Sequence, residues 1–234
     1  MTLEEGTMKR GSVMAAGFLA VVSVIAGVSV RGQSATGKYH SAGLAMASDI
    51  AYPINSRAPG FVTLDVSLDS TGTVQNVAVV RDVPPLTAAA QSAVNGWRFT
   101  PATLDGQSVA GILRVDVAFN PYNPSGVGLP GESLQPASGS PSGDFQPAQL
   151  LKANYANYPP NTVASGTVVM QAHIGSEGRV HGANVVRGKV GVLAGAATKA
   201  AKSWNFAPAT YKGQAVASDV AIVFVFATPQ AGTR

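Results

Sequence analysis

The chain repeats itself. Laid on itself with an offset of 106, Tyr52-Pro53 recurs as Tyr158-Pro159, Gly60-Phe61-Val62 as Gly166-Thr167-Val168, Gly72-Thr73-Val74 as Gly178-Arg179-Val180, and Val79-Val80-Arg81 as Val185-Val186-Arg187. After one inserted residue the offset becomes 107. Trp97-Arg98-Phe99-Thr100-Pro101-Ala102 then matches Trp204-Asn205-Phe206-Ala207-Pro208-Ala209, and Gly106-Gln107 matches Gly213-Gln214. A spacing kept through turn glycines, tryptophans and prolines marks a duplicated structural unit. Whatever one copy folds into, the chain must build it twice.

Each copy reads the same way. Val62, Leu64, Val66 and Leu68 alternate with Thr63, Asp65, Ser67 and Asp69, the pattern of a half-buried strand. Asp69-Ser70-Thr71-Gly72 is a hairpin turn, and Val74 to Val80 runs back. Leu86, Ala90, Ala93, Val94 and Trp97 then fall on one helical face, and Leu193, Ala197, Ala200, Ala201 and Trp204 keep that spacing in copy two. Leu113, Val115, Val117 and Phe119 form one face of a last strand. The order strand, strand, helix, strand predicts an α+β module with one helix packed on a small antiparallel sheet. The tryptophans read as core anchors of these thin modules.

The predicted boundaries are 52–120 and 148–228, with 121–147 a Pro/Gly/Ser-rich linker, 33–51 a short spacer and 229–234 a tail. At ~5–6 Å × √n such a linker separates the copies by roughly 30 Å, an arrangement of beads on a string, with docking of the copies on each other as the alternative. The segment 1–32 reads differently. Gly11 to Val30 carries no charge and lies between Lys9-Arg10 and Arg31, and roughly 20 apolar residues span a bilayer as a helix. A cleaved export signal and a retained inner-membrane anchor both fit. Either sends the remainder across the inner membrane.

Chemistry finds little to work with. There are no cysteines, which excludes a disulfide scaffold, thiol catalysis and thiolate metal sites. His40, His173 and His181 show no metal-ligand spacing, and no nucleophile elbow appears. Gly32 to Lys38 has the spacing of a phosphate-binding loop, but Tyr39 stands where a Ser or Thr must hold magnesium. No catalytic, cofactor or metal residues are expected, so the chain reads as a non-enzyme. The net charge of +4 is too scattered for a nucleic-acid binder, although 145–234 carries eight basic groups against two acidic ones.

The series Tyr-Pro, Gly-x-Val, Gly-x-Val, Trp-x-Phe-x-Pro-Ala and Gly-Gln-x-Val resembles the TonB C-terminal domain, in both copies. The resemblance implies a cell-envelope protein of a Gram-negative-type bacterium, in the periplasm or facing it from the inner membrane. It also implies protein partners, outer-membrane transporters among them, engaged by pairing a short segment with a sheet edge. Two functions follow: a protein that binds transporters and transmits energy to them, or an adaptor that reuses the fold for protein contacts without a motor. The apolar run holds no histidine for motor coupling, and the spacer before copy one is short; both favour the adaptor.

One difference between the copies points to a binding surface. In the last strand of copy one the outward Arg114, Asp116 and Ala118 read as a solvated face, whereas copy two has Ala221, Val223 and Val225 there. Apolar residues on both faces mean a strand that is covered twice or is waiting for a partner. Cover by Phe145–Ala156 is one explanation. The other is a docking strand carrying Val223 and Val225, approached past Arg187, Lys189, Lys199 and Lys202.

Overall fold

The computed structural model describes residues 38–54, 56, 58–123, 125, 128–136, 143–188 and 191–228. They fall within one compact unit, 37–234. Gly11–Val30 and Lys189 lie outside the described residues, and among those described no helix is long and apolar enough to cross a membrane.

Module one runs β1 (Tyr39–His40), β2 (Gly43–Met46), β3 (Gly60–Leu68), β4 (Val74–Arg81), α1 (Leu86–Val94), β5 (Arg98–Thr100), β6 (Ala102–Leu104), β7 (Gln107–Val109) and β8 (Gly111–Asn120). After β9 (Glu132–Ser133), module two repeats the order. It has β10 (Phe145–Gln146), β11 (Gln149–Ala153), β12 (Gly166–Ile174), β13 (Val180–Arg187), α2 (Val192–Ala201), β14 (Asn205–Ala207), β15 (Ala209–Tyr211), β16 (Gln214–Val216) and β17 (Ser218–Phe226). The α+β class holds, and the hairpin, helix and last strand occur in sequence. The layout is richer than the four expected elements. Short strands precede each hairpin and follow each helix, because the Pro-Ala and Gly-Gln corners are themselves small antiparallel ladders.

Local chemistry accounts for these elements. Asp69 Oδ1 accepts from the amides of Thr71 and Thr73 and from the Thr71 hydroxyl, closing the first hairpin. Gly72 then sits at φ +84°, where a Cβ would come within 2.5 Å of Phe99 O, so no other residue fits. In α2, alanine dominates, and Lys199 in the last turn opposes the helix dipole.

The two modules share one sheet, which corrects the expectation of separate beads. Strand order is β13-β12-β17-β8-β3-β4, and the last strands, β8 and β17, pair in parallel at its centre. Val115 pairs with Ala221 and not with its own repeat counterpart Ile222. Side chains alternate along a strand, so this one-residue offset brings the α1-facing side of module one level with the back of module two. Val220, Ile222, Phe224 and Phe226 therefore pack with α2, while Ala221, Val223 and Val225 join Val62, Leu64 and α1 in the other core. The helices cover opposite faces.

Each module also covers the other's back. Residues 38–50, read from sequence as spacer, carry β1 and β2 and lie on module two. Leu44 N–H donates to Gln171 Oε1 (3.0 Å), Ile50 N–H to Thr167 Oγ1 (3.0 Å), and Asp219 N–H to Ser41 Oγ (2.8 Å). In return the segment from Phe145 onward crosses module one, where Arg114 Nη1 donates to Ala148 O and Ala156 N–H to Asn120 Oδ1. The described part of the linker is pinned too: β9 pairs with β11, Leu134 is buried, and Arg81 of module one donates to Gln135 O.

Arg114 and Asp116 are thus not a solvated face; both are buried, at 2% and 0% exposure. Arg114 makes a bidentate pair with Asp65 at 2.7 and 2.8 Å. Asp116 accepts from Thr63 Oγ1 (2.7 Å), and its Oδ2 has no hydrogen-bond partner. Burial pushes the Asp116 carboxyl up to about 6, against the pull of Arg114, the Thr63 bond and Arg81, with Asp65 adding to the rise. A carboxyl raised in the folded state contributes stability that is full below its unfolded value, roughly 4, and is lost as pH rises through about 6. Stability is expected to fall between pH 5 and 7.5, by on the order of 1–1.5 kcal/mol for this group, the rest of the loss lying between about pH 4 and 5, and the slope should flatten in Asp116→Asn. Thermal melts of both proteins across that range check this; equal slopes would refute it. The lowered carboxyls of Asp49, Asp69 and Glu177 act with the opposite sign, at lower pH.

Candidate functional site

The six residues expected to bind a partner separate into three groups. Val223 and Val225 are core, at 0% and 1% exposure. Their strand is paired on both edges, with β12 and β8, and covered on both faces, so the open docking strand does not exist in this fold. Of the two explanations open from sequence, cover is the one the structure has, but not by Phe145–Ala156, which pack with α2 on the opposite face; Val223 and Val225 are covered by residues 42–50 and α1 of module one.

Arg187 is committed elsewhere. Its guanidinium holds both oxygens of Asp49 at 2.6 Å, clasping module one's leading segment to module two. That bond is the main reason the Asp49 carboxyl lies below its ordinary range. The pair is largely exposed and therefore adds alignment more than stability.

Lys199 and Lys202 remain. Both are exposed, at the C-terminal end of α2, and neither belongs to an ion pair among the described residues. Lys199 borders a groove of about 520 Å³ between α2 and residues 154–160, with Asn154, Asn157, Pro159, Val192 and Ser203 on its walls. Val192 is 56% exposed there, one of few large apolar side chains facing out. The floor is rigid. Tyr158 O–H donates to Ala227 O and Tyr155 O–H to Glu132 Oε1, both at 2.6 Å, and burial raises both phenols. From sequence Tyr158-Pro159 is a repeated pair; in the structure, with Pro160, it is a wall of this groove. The exposed Val192 at the start of an alanine helix was the available signal.

The six-stranded sheet ends at β13, whose only strand neighbour among the described residues is β12. The opposite end is β4, in the part of the chain where charges nearly balance. An edge strand presents unpaired amides and carbonyls that a further strand can join. The described residues contain no cluster of three or more metal-ligating side chains.

Comparison with known proteins agrees with this duplicated architecture. The family model described as Gram-negative bacterial TonB protein C-terminal matches residues 50–121 and again 155–228. Comparisons with curated proteins and with solved structures give no match. Each matched segment contains a hairpin, its helix and its last strand, and together they span more than half of the sequence. The chain belongs to the TonB C-terminal domain family, with two copies of that domain.

Proposed function

We propose that this protein is an interaction module of the cell envelope, exposed to the periplasm, that binds an extended acidic segment of another envelope protein along β13 and the adjoining α2 face. The observation that carries this reading is the central pairing of β8 with β17. Each last strand occupies the other's edge, so among the described residues the six-stranded sheet offers a peptide only the edges β4 and β13. Of these, β13 lies on the module that carries Lys199 and Lys202, which belong to no ion pair among the described residues. Strand addition supplies backbone hydrogen bonds, and the lysines select negative charge.

The same pairing favours an adaptor over an energiser of outer-membrane transporters, because a transporter segment has no access to either last strand. The test is photo-crosslinking in the intact envelope. A crosslinker at Asn184, exposed on β13, should capture a protein partner, and one at Val223 should capture none. Lys199→Gln with Lys202→Gln should reduce capture at Asn184 severalfold while shifting stability by no more than ~1 kcal/mol. Capture at Val223 in preference to Asn184 would overturn the proposal. Capture of a transporter that disappears when the proton gradient is collapsed would establish the energiser reading in place of the adaptor.

A further inference from the structure

Two histidines far apart in spacing rules come together on module two. The β12–β13 ladder pairs His173 with Gly182 and Ile174 with Val180, which leaves His181 as the extra residue of a bulge. A bulge re-aims a side chain, and here the His181 ring lies 6.4 Å from the His173 ring, centre to centre. Both rings are about half exposed.

Each ring is held by a carboxylate through one nitrogen. His173 Nδ1 bonds Asp219 Oδ1 at 3.0 Å, and Asp219 Oδ2 in turn accepts from Gln171 Nε2 at 2.9 Å. His181 Nε2 bonds Glu177 Oε1. A carboxylate accepts, so in the neutral rings the protons sit on those bonded nitrogens. The lone pairs are left on Nε2 of His173 and Nδ1 of His181. Carboxylates that fix the tautomer and orientation of an imidazole in this way are the usual outer support of a metal-bound histidine.

Module one supplies the internal control. It builds the same hairpin with the same bulge, and Ser67, Thr71 and Gln75 stand where module two has His173, Glu177 and His181, with Ile112 in place of Asp219. The fold therefore does not require this set of residues. We propose that His173 and His181 form a two-imidazole site for a divalent transition-metal ion such as zinc, completed by water, with Asp219 and Glu177 as positioning residues. A metal held at about 2.0–2.1 Å by one nitrogen of each ring needs ring centres roughly 5–6 Å apart. Exposed side chains reach that separation by a small rotation.

The test is zinc titration of the purified full chain by calorimetry, with histidine ring nitrogens followed by NMR. One zinc ion should bind per chain, shifting the Nε2 signal of His173 and the Nδ1 signal of His181 while leaving His40 unmoved. His173→Ser with His181→Gln installs the residues that module one already tolerates, so folding is retained, and zinc binding should be lost. Asp219→Asn should weaken binding about tenfold, the usual effect of removing an outer support. Zinc binding unchanged in the double variant, no saturable binding in the wild type, or shifts at His40 in place of the pair would each overturn the site.

Discussion

Trp204→Ala is expected to destabilise the whole compact unit, and not module two alone, by about 3–5 kcal/mol. Trp204 is 1% exposed and donates its indole N–H to Asn154 O at 2.9 Å. Its ring meets Phe224 at 5.3 Å and, edge-on, Phe61 of module one at 5.7 Å. Truncation opens a cavity that touches both repeats. The variant keeps Trp97 as a fluorescent reporter in module one, packed with the α1 core. Denaturation followed through Trp97 should show the same lowered midpoint as circular dichroism of the whole chain. A Trp97 midpoint left where the wild type has it would mean that the repeats unfold independently.

Val223→Lys with Val225→Lys should be more damaging still. Both positions lie in the apolar layer shared with Val62, Leu64 and α1, at 0% and 1% exposure. Two ammonium groups there are removed from water, and the expected cost for the pair is on the order of 8–14 kcal/mol, comparable to the whole stability of an ordinary domain. Circular dichroism should show loss of the cooperative melt. A variant that keeps its melting temperature and loses only partner binding would restore the docking strand and overturn the buried placement described above.

These two expectations show where sequence sufficed and where it stopped. The repeat, the hairpins, the helix faces and the core roles of Trp97 and Trp204 follow from local periodicity, and the structure has them. The fusion of the modules does not, because it depends on which strand edges meet. A pattern such as Arg114-Val115-Asp116-Val117 is the same whether its polar side faces water or a partner module. Only the bidentate capture of Asp65 by Arg114, a long-range contact, reveals that the polar side is buried. Residues 38–50 were misread for the same reason: without a helix or a long alternating run, their hydrogen bonds to Gln171 and Thr167 leave no local trace. In the candidate surface, Lys199 and Lys202 were legible as charges, while the groove beside them was not.

The mutual pairing of β8 and β17 also bears on stoichiometry. Two identical chains joined in this manner would make a dimer whose survival depends on concentration, and dilution would dissolve it. Here both halves are tied by one backbone, so each meets the other at an effective concentration in the millimolar range for a short flexible tether. The association is then first-order and indifferent to copy number. A single molecule arriving alone carries its complete central sheet, and the strand edges that would otherwise recruit a foreign chain are filled before any stranger is met.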